Sequence, residues 1–286
     1  MKNLFSVEGK AVLVTGGSRG IGEMIARGFV ENGARVYISS RKANVCDGLA
    51  EELSKYGSCT SLPFDLSNME GIQGLAAAVA EREPKLDVLV NNAGAGFLGS
   101  LEQTTDDDLH RTMDINFFGV WHMTRAVFPH MRERGSGRII SVTSVGGLIG
   151  QPFNEAYCAA KFAVEGMMEG FAPLARRMGV SVSLIEPGPI NTEFVANVRA
   201  TSAEGLASYE APYDGLIAKY MGSSEGVFAQ FGQTGDDIAG IILDTARAEK
   251  PDFRYVTSDF AKQIVKPKVV DYSGNNVVDA FAARLE

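Results

Sequence analysis

The chain has 286 residues, of which 45% are hydrophobic and 22% charged, a composition that excludes disorder and leaves ample apolar material for a buried sheet. Its 27 basic and 35 acidic residues give a formal charge of −8 with no basic run, which argues against nucleic acid as a partner, because phosphate binding needs a concentrated positive face. Parallel α/β folds often reach this length on one core, so a single domain over 1–286 is expected.

The first element is a short β-branched run, Ala11 to Thr15, followed directly by Thr15-Gly-Gly-Ser-Arg-Gly-Ile-Gly22 and a helical stretch from Ile21. Glycines 16, 20 and 22 between a strand and a helix let a pyrophosphate approach the unpaired N–H groups and positive dipole of the helix start. An ordinary strand-to-helix turn is the plainer alternative. A second strand, Arg35 to Ser39, ends in Ser39-Ser40-Arg41-Lys42. An acidic residue there would bind a ribose 2′-hydroxyl and repel a 2′-phosphate. With Ser40, Arg41, Lys42 and Arg19 in its place, the pocket reads as one for NADP(H) in preference to NAD(H). The other reading of Arg41 and Lys42 is a solvated loop.

Further strands are expected at 60–64, 88–91, 138–143 and 180–185, each separated by helical stretches, with a seventh at 253–257 after a helix that Thr234 or Asp236 caps. The strands are nearly continuous apolar runs, as a sheet covered on both faces requires. The expected fold is therefore a Rossmann-type, doubly wound parallel sheet of about seven strands with helices on both faces. Residues 190–232 break the rhythm with scattered glycines among Phe194, Tyr209, Tyr213, Tyr220 and Phe228, and are read as a helical insertion over the active site. The tail, 260–286, is amphipathic and carries little signal.

Four residues within this frame carry candidate chemistry. Tyr157 and Lys161 stand four apart in a helical stretch, so their side chains share a face. Reduction of a ketone needs a proton delivered to the forming alkoxide, and a nearby ammonium would favour the tyrosine's phenolate for the reverse reaction. Ser144 ends the fifth strand at the carboxyl edge, where ligands bind in open α/β sheets, and either holds a substrate oxygen or caps the turn before Gly146. Asn116 is expected in a helix interior among apolar neighbours, where a buried amide needs partners; a water-mediated link to Lys161 or a structural bond would each satisfy it.

Nothing at Met1 to Lys10 resembles a signal peptide, and no apolar run approaches the roughly 18 residues that span a bilayer, so a soluble cytoplasmic protein without a membrane span is expected. Cys46, Cys59 and Cys158 read as free thiols, and His110, His122 and His130 lack metal-ligand spacing, so no metal is expected.

Taken together, Thr15-Gly-x3-Gly-x-Gly22, Asn91-Asn-Ala-Gly94, Asn116, Ser144, Tyr157-x3-Lys161 and Pro187-Gly188 resemble the short-chain dehydrogenases/reductases over roughly Lys10 to Thr192. The resemblance implies a catalytic tetrad of Asn116, Ser144, Tyr157 and Lys161. It also implies cofactor contacts from Gly16, Ser18, Arg19, Gly20, Ile21, Gly22, Asp65, Leu66, Asn91, Ala93, Gly94, Tyr157, Lys161, Pro187, Gly188, Ile190 and Thr192, with Asp65 at the adenine amino group. The stretch 144–166 is similar to the 17β-hydroxysteroid dehydrogenase type 1 and retinol dehydrogenase branch. That likeness implies a small apolar alcohol or ketone as substrate, lined by Ser144, Val145, Phe153, Asn154, Tyr157, Pro189 and Phe194, and a homodimer or homotetramer. The steroid branch holds its ligand's far hydroxyl with a late histidine, yet none follows His130 here. A retinol or 3-oxoacyl reductase, and a nucleotide-binding regulatory protein without chemistry, are the other readings.

Overall fold

The computed structural model describes residues 6–191, 213–266, 268 and 272–275. Its strands are β1 (Ala11–Thr15), β2 (Arg35–Ser39), β3 (Ser58–Ser61), β4 (Leu86–Asn91), β5 (Gly137–Val142), β6 (Val180–Glu186) and β7 (Arg254–Val256). They form one sheet in the order β3-β2-β1-β4-β5-β6-β7, and every pairing is parallel. The order reverses between β1 and β4, which opens a crevice at the carboxyl ends of the central strands.

Helices α1 (Gly20–Glu31), α2 (Ala43–Leu53), α3 (Met69–Arg82), α4 (Asp106–Met113), α5 (Gly119–Arg134), α6 (Glu155–Arg177), α7 (Tyr213–Phe231), α8 (Gly235–Arg247) and α9 (Asp259–Val265) complete the described elements. The two-residue period of the strands sends alternate side chains to opposite faces. Val12, Val14, Val36 and Ile38 pack with Ile25, Phe29, Leu53 and Ile242 of α1, α2 and α8. Leu13, Leu89 and Ile139 face the other way, against Leu75, Met123 and Met168 of α3, α5 and α6. No described helix is long and apolar enough to cross a membrane.

Three local expectations change in detail. The third strand covers 58–61 instead of 60–64: Leu62 donates one more bond to Ile38 O at 2.8 Å, and Pro63 has no N–H to continue the ladder. Of the two candidate caps for α8, Thr234 is the one used, in a reciprocal box with Asp237. Asn116 does not sit in a regular helix. Residues Asp114–Phe118 form a single π-turn between α4 and α5, a widening often found at functional sites because it re-aims one side chain.

The insertion begins and ends at one place. Ile190 and Gln233 form a parallel bridge, and Gln233 N donates to Pro189 O at 2.9 Å, so the segment leaves the sheet after β6 and returns beside its own start. Its described part is α7, as the expectation of a helical insertion requires. Thr192 and Phe194 lie outside the described residues.

Candidate active site

The glycine turn is built for close approach. Gly16 and Gly20 hold left-handed backbone, with φ of +63° and +55°. A Cβ on Gly16 would stand 2.8 Å from Ala93 Cα, and one on Gly22 would stand 2.1 Å from Gly16 O, so neither position has room for a side chain. Two residues outside the candidate list strap this turn to the end of β4. Thr15 Oγ1 accepts the N–H groups of Asn92 and Ala93 at 3.0 and 3.1 Å, and Asn92 Nδ2 donates to Thr15 O and Gly16 O at 3.0 and 3.2 Å. The doubled asparagine and the threonine before the glycines were visible signals for both.

Helix α1 opens at Gly20, and no side chain caps it, so its first N–H groups remain available to an anion. The cradle thus fits a dinucleotide pyrophosphate, which Gly16, Ser18, Arg19, Gly20, Ile21 and Gly22 could hold. At the carboxyl end of β2, the Ser39 and Ser40 hydroxyl oxygens are buried without a hydrogen-bond partner, as a site made for a further polar group leaves them. Arg41 beside them is exposed. Asp65 follows β3, and its Oδ1 accepts the Ser67 N–H at 3.0 Å and hydroxyl at 2.8 Å, so part of this carboxylate is committed to its own turn. Leu66 is buried beside it. A cleft of about 1220 Å³ runs along Ser18, Arg19 and Gly20 between α2 and α7. Ser144, Tyr157 and Lys161 are not among its lining residues, so the arrangement of polar groups, and not cavity size, locates the chemistry.

At the ends of β4, β5 and β6 the four tetrad candidates come together. Ser144 Oγ accepts the Gly146 N–H at 3.0 Å, and a Cβ on Gly146 would stand 3.4 Å from both Ser144 Oγ and Tyr157 Cε1, so serine and tyrosine face one small space. Ser144 thus caps the turn before Gly146 and at the same time stands beside the tyrosine. Lys161 is buried, donates to Val142 O at 3.2 Å, and sets its ammonium 5.6 Å from the centre of the Tyr157 ring. A Cβ on Gly94 would stand 2.8 Å from Asn116 Oδ1 and 3.5 Å from Lys161 Nζ, so the asparagine and the lysine face one small space. Asn116 is fully buried, and its amide is spent on structure: Nδ2 donates to Ala95 O at 2.9 Å and Thr112 O at 3.0 Å, while Oδ1 accepts the Ala95 N–H at 3.2 Å. Asn91, likewise buried, donates to the Thr124 and Ser141 hydroxyls from the end of β4.

Electrostatics correct one expectation. The ammonium does not hold Tyr157 as a phenolate; burial pushes the phenol up to about 12, against the downward pull of the Ser144 hydrogen bond. The physical reason is direction, because the lysine points at a carbonyl and lies over the ring, not at the hydroxyl. Burial also brings Lys161 down to about 8, opposed by the charge of Glu165. At neutral pH the site holds a phenol and an ammonium, a pair set to give a proton away.

The pocket-wall candidates cluster at the start of α6. Val145 is buried in a short 3₁₀ turn (Val145–Gly147) and donates its N–H to Pro187 O at 2.9 Å, which ties Ser144 to the Pro187-Gly188 loop after β6. Phe153 adopts φ +60°, uncommon for a bulky residue and a cost of about 1–3 kcal/mol, and its carbonyl accepts the Gly99 N–H at 2.8 Å. Asn154 Nδ2 donates to the Tyr220 hydroxyl at 2.9 Å, and the rings of Phe153 and Tyr220 lie 5.9 Å apart. Tyr220 belongs to the aromatic-rich insertion expected over the active site, and these contacts seat it on Phe153 and Asn154.

Known proteins resemble the chain over most of its length. Residues 10–203 match the short chain dehydrogenase family. The 17-beta-hydroxysteroid dehydrogenase type 1 of Homo sapiens is 36% identical over 279 residues, covering 94% of this chain and 84% of the relative. A 3-ketodihydrosphingosine reductase of Bacteroides thetaiotaomicron is 36% identical over 194 residues, covering 68% of this chain and 69% of its own. The solved RhlG/NADP active-site complex of Pseudomonas aeruginosa has a TM-score of 0.74 at 29% identity, covering 90% of this chain and 97% of that one.

Proposed function

The chain belongs to the short-chain dehydrogenase/reductase family, and from that premise we propose that it interconverts a secondary alcohol and a ketone on a bulky apolar substrate, a hydroxysteroid first, with NADP(H). The observation that carries this reading is the convergence of Ser144 and Tyr157 beside Gly146, where a Cβ would stand 3.4 Å from both side chains, with Ser144 drawing the buried phenol's pKa down. A bound nicotinamide would supply or accept the hydride. Ser144 orients and polarises the substrate oxygen, and Tyr157 gives it a proton. Lys161 holds the cofactor's ribose and its ammonium steadies any charge on Tyr157. Asn116 shapes the π-turn beside Lys161 and keeps its buried amide on the backbone. For the cofactor, Arg41 and the absence of a carboxylate after β2 support NADP(H), as does the NADP complex of the similar structure.

The steroid reading draws on coverage. The likeness to the hydroxysteroid dehydrogenase runs through nearly the whole chain, whereas that to the sphingoid reductase covers about two thirds. The wall helix α7 lies beyond the matched family region, in the part where only a long-range relative bears on substrate choice. Because no histidine follows His130, non-phenolic steroids belong in the test beside phenolic ones. Leu109, Phe118 and Trp121 on α4–α5 and Leu174 on α6 are exposed, which supports a homodimer or homotetramer through those helices, measurable by light scattering.

The test is a panel of steroid, retinoid and 3-oxoacyl thioester carbonyls with NADPH and NADH, followed by cofactor absorbance. Steroid turnover above the other classes supports the reading; preference for an acyl thioester moves the protein to the reductases, and no turnover of any carbonyl favours a regulatory role. Reduction needs the Tyr157 proton and the Lys161 ammonium, and the lysine loses its charge first. The reductive kcat is therefore flat below pH ~8 and falls as pH rises through it. A rate that climbs through that pH contradicts the assignment.

A further inference from the structure

Directly behind the tetrad lies a cluster of charge that the reaction as described does not use. Glu186, the last residue of β6, is fully buried, and Glu165 of α6 is nearly so. Arg254 of β7 reaches between them, with Nε 3.1 Å from Glu165 Oε2 and 3.0 Å from Glu186 Oε1, while its Nη2 donates to Glu169 Oε2 at 2.6 Å. Thr143 of β5 donates its hydroxyl to Glu165 Oε1 at 2.6 Å. Three carboxylates thus face one guanidinium.

The hydrogen bonds are distributed unevenly. Glu165 receives donors from Thr143 and Arg254, as an anion requires. Neither oxygen of Glu186 receives one, although Arg254 lies at ion-pair distance. A buried carboxylate without donors is expensive, whereas a carboxylic acid beside an acceptor can donate to it. Glu165 is that acceptor. Burial and the neighbouring carboxylate push Glu186 up to about 10, and burial pushes Glu165 up as well, against the pull of Thr143 and Arg254.

Glu165 also touches the catalytic framework from below. It lies one helical turn after Lys161, whose ammonium its charge supports. Thr143, which it holds, immediately precedes Ser144. Gly147, at the end of the turn that carries Ser144, lies so close that a Cβ there would stand 2.9 Å from Glu165 Cγ. The charged and titratable groups facing the pair are Lys161 and Glu169 from α6 and Arg254 from β7.

We propose that Glu186 and Glu165 share one proton as an acid–carboxylate pair under Arg254, and that Glu165 is a positioning residue that sets Ser144 and maintains the Lys161 ammonium. This role rests on the tetrad reading above, but the proton itself does not. Infrared difference spectra of wild type against Glu186→Gln at pH 8 should show the carbonyl stretch of a protonated carboxylic acid in wild type alone; its absence from wild type overturns the shared proton. Thermal stability gives a second readout. A carboxyl whose folded pKa is raised contributes stability that is lost as pH rises towards that value, so wild-type Tm should fall between pH 6 and 9 more steeply than that of Glu186→Gln. Equal slopes count against the pair.

The positioning role is read from estrone reduction by NADPH. In Glu165→Gln the alkaline limb of kcat should move about one pH unit lower, because the ammonium has lost its counter-charge. An unmoved limb with lowered kcat leaves Glu165 merely structural and overturns this half. Should wild type reduce no carbonyl at all, the functional reading fails while the infrared and Tm experiments still decide the pair.

Discussion

The floor of the crevice and its wall are held in different ways. On the floor, the glycine turn, the end of β4 and the turn after β5 are fixed by backbone contacts at van der Waals distance and by buried hydrogen bonds such as those of Thr15, Asn92 and Asn116. The wall helix α7 is tied by polar tethers near the surface: Tyr220 to Asn154, Tyr213 to Glu102 at 2.6 Å, and the Ile190–Gln233 bridge at its base. A floor locked by sterics keeps the reacting groups in register, as transition-state chemistry demands, while a wall on a few replaceable bonds can change its substrate without disturbing that register.

Substitutions on the two regions should therefore separate rate from affinity. The largest effect belongs to Tyr157→Phe, which removes the hydroxyl proposed as proton donor. It should lower kcat by about 10²–10⁴-fold while NADPH binding, followed by fluorescence, stays intact. Retained turnover would remove the chemistry from this hydroxyl. Gly94→Ala comes next, since its methyl would press on Asn116 Oδ1 and Lys161 Nζ. A displacement of that kind should cost about 10²-fold in kcat, and a crystal structure of the variant should show both side chains shifted. A variant with normal kcat would mean that the floor yields more than its distances suggest.

Smaller effects sharpen the comparison at the edges. Arg41→Glu should raise KM for NADPH by about 10-fold and leave KM for NADH unchanged or lower, the signature of a lost 2′-phosphate contact. NADH rates that match NADPH rates in wild type would sink the argument for that contact. Tyr220→Phe removes one acceptor from the wall. It should lower stability by about 0.5–1.5 kcal/mol and raise KM for a steroid several-fold, with kcat for a small ketone nearly unchanged. If kcat falls equally for both substrates, wall and floor are coupled and the division drawn above is wrong.

How much of this was legible depended on how local each signal was. The glycines of 15–22 and the Tyr157–Lys161 spacing could be read directly, because one turn of chain contains the whole constraint. The exact reach of β3 was missed, since the run 60–64 does not announce that pairing starts two residues earlier at Ser58 and that Pro63, without an N–H, ends it. Asn116 was placed in a helix but not in a π-turn, whose extra residue is set by packing against neighbours. Burial, not the pull of Lys161, governs Tyr157 in the protein alone, because spacing along a helix fixes which side chains are adjacent but not where an ammonium points. Glu165 and Glu186 were in view as letters, yet 21 positions apart they gave no hint of sharing a site with Arg254.

The amino-acid order alone determined the parallel α/β architecture, the glycine turn after the first strand and the shared helix face of Tyr157 and Lys161, because periodicity, glycine geometry and helical spacing act within a few residues of chain. Tertiary structure alone decided the upward shift of Tyr157 and the downward shift of Lys161, the gathering of Glu165, Glu169 and Glu186 around Arg254 and the seating of Tyr220 on Asn154. Those depend on desolvation and on contacts between segments far apart in sequence, and both come into being only when the sheet has closed around its two cores.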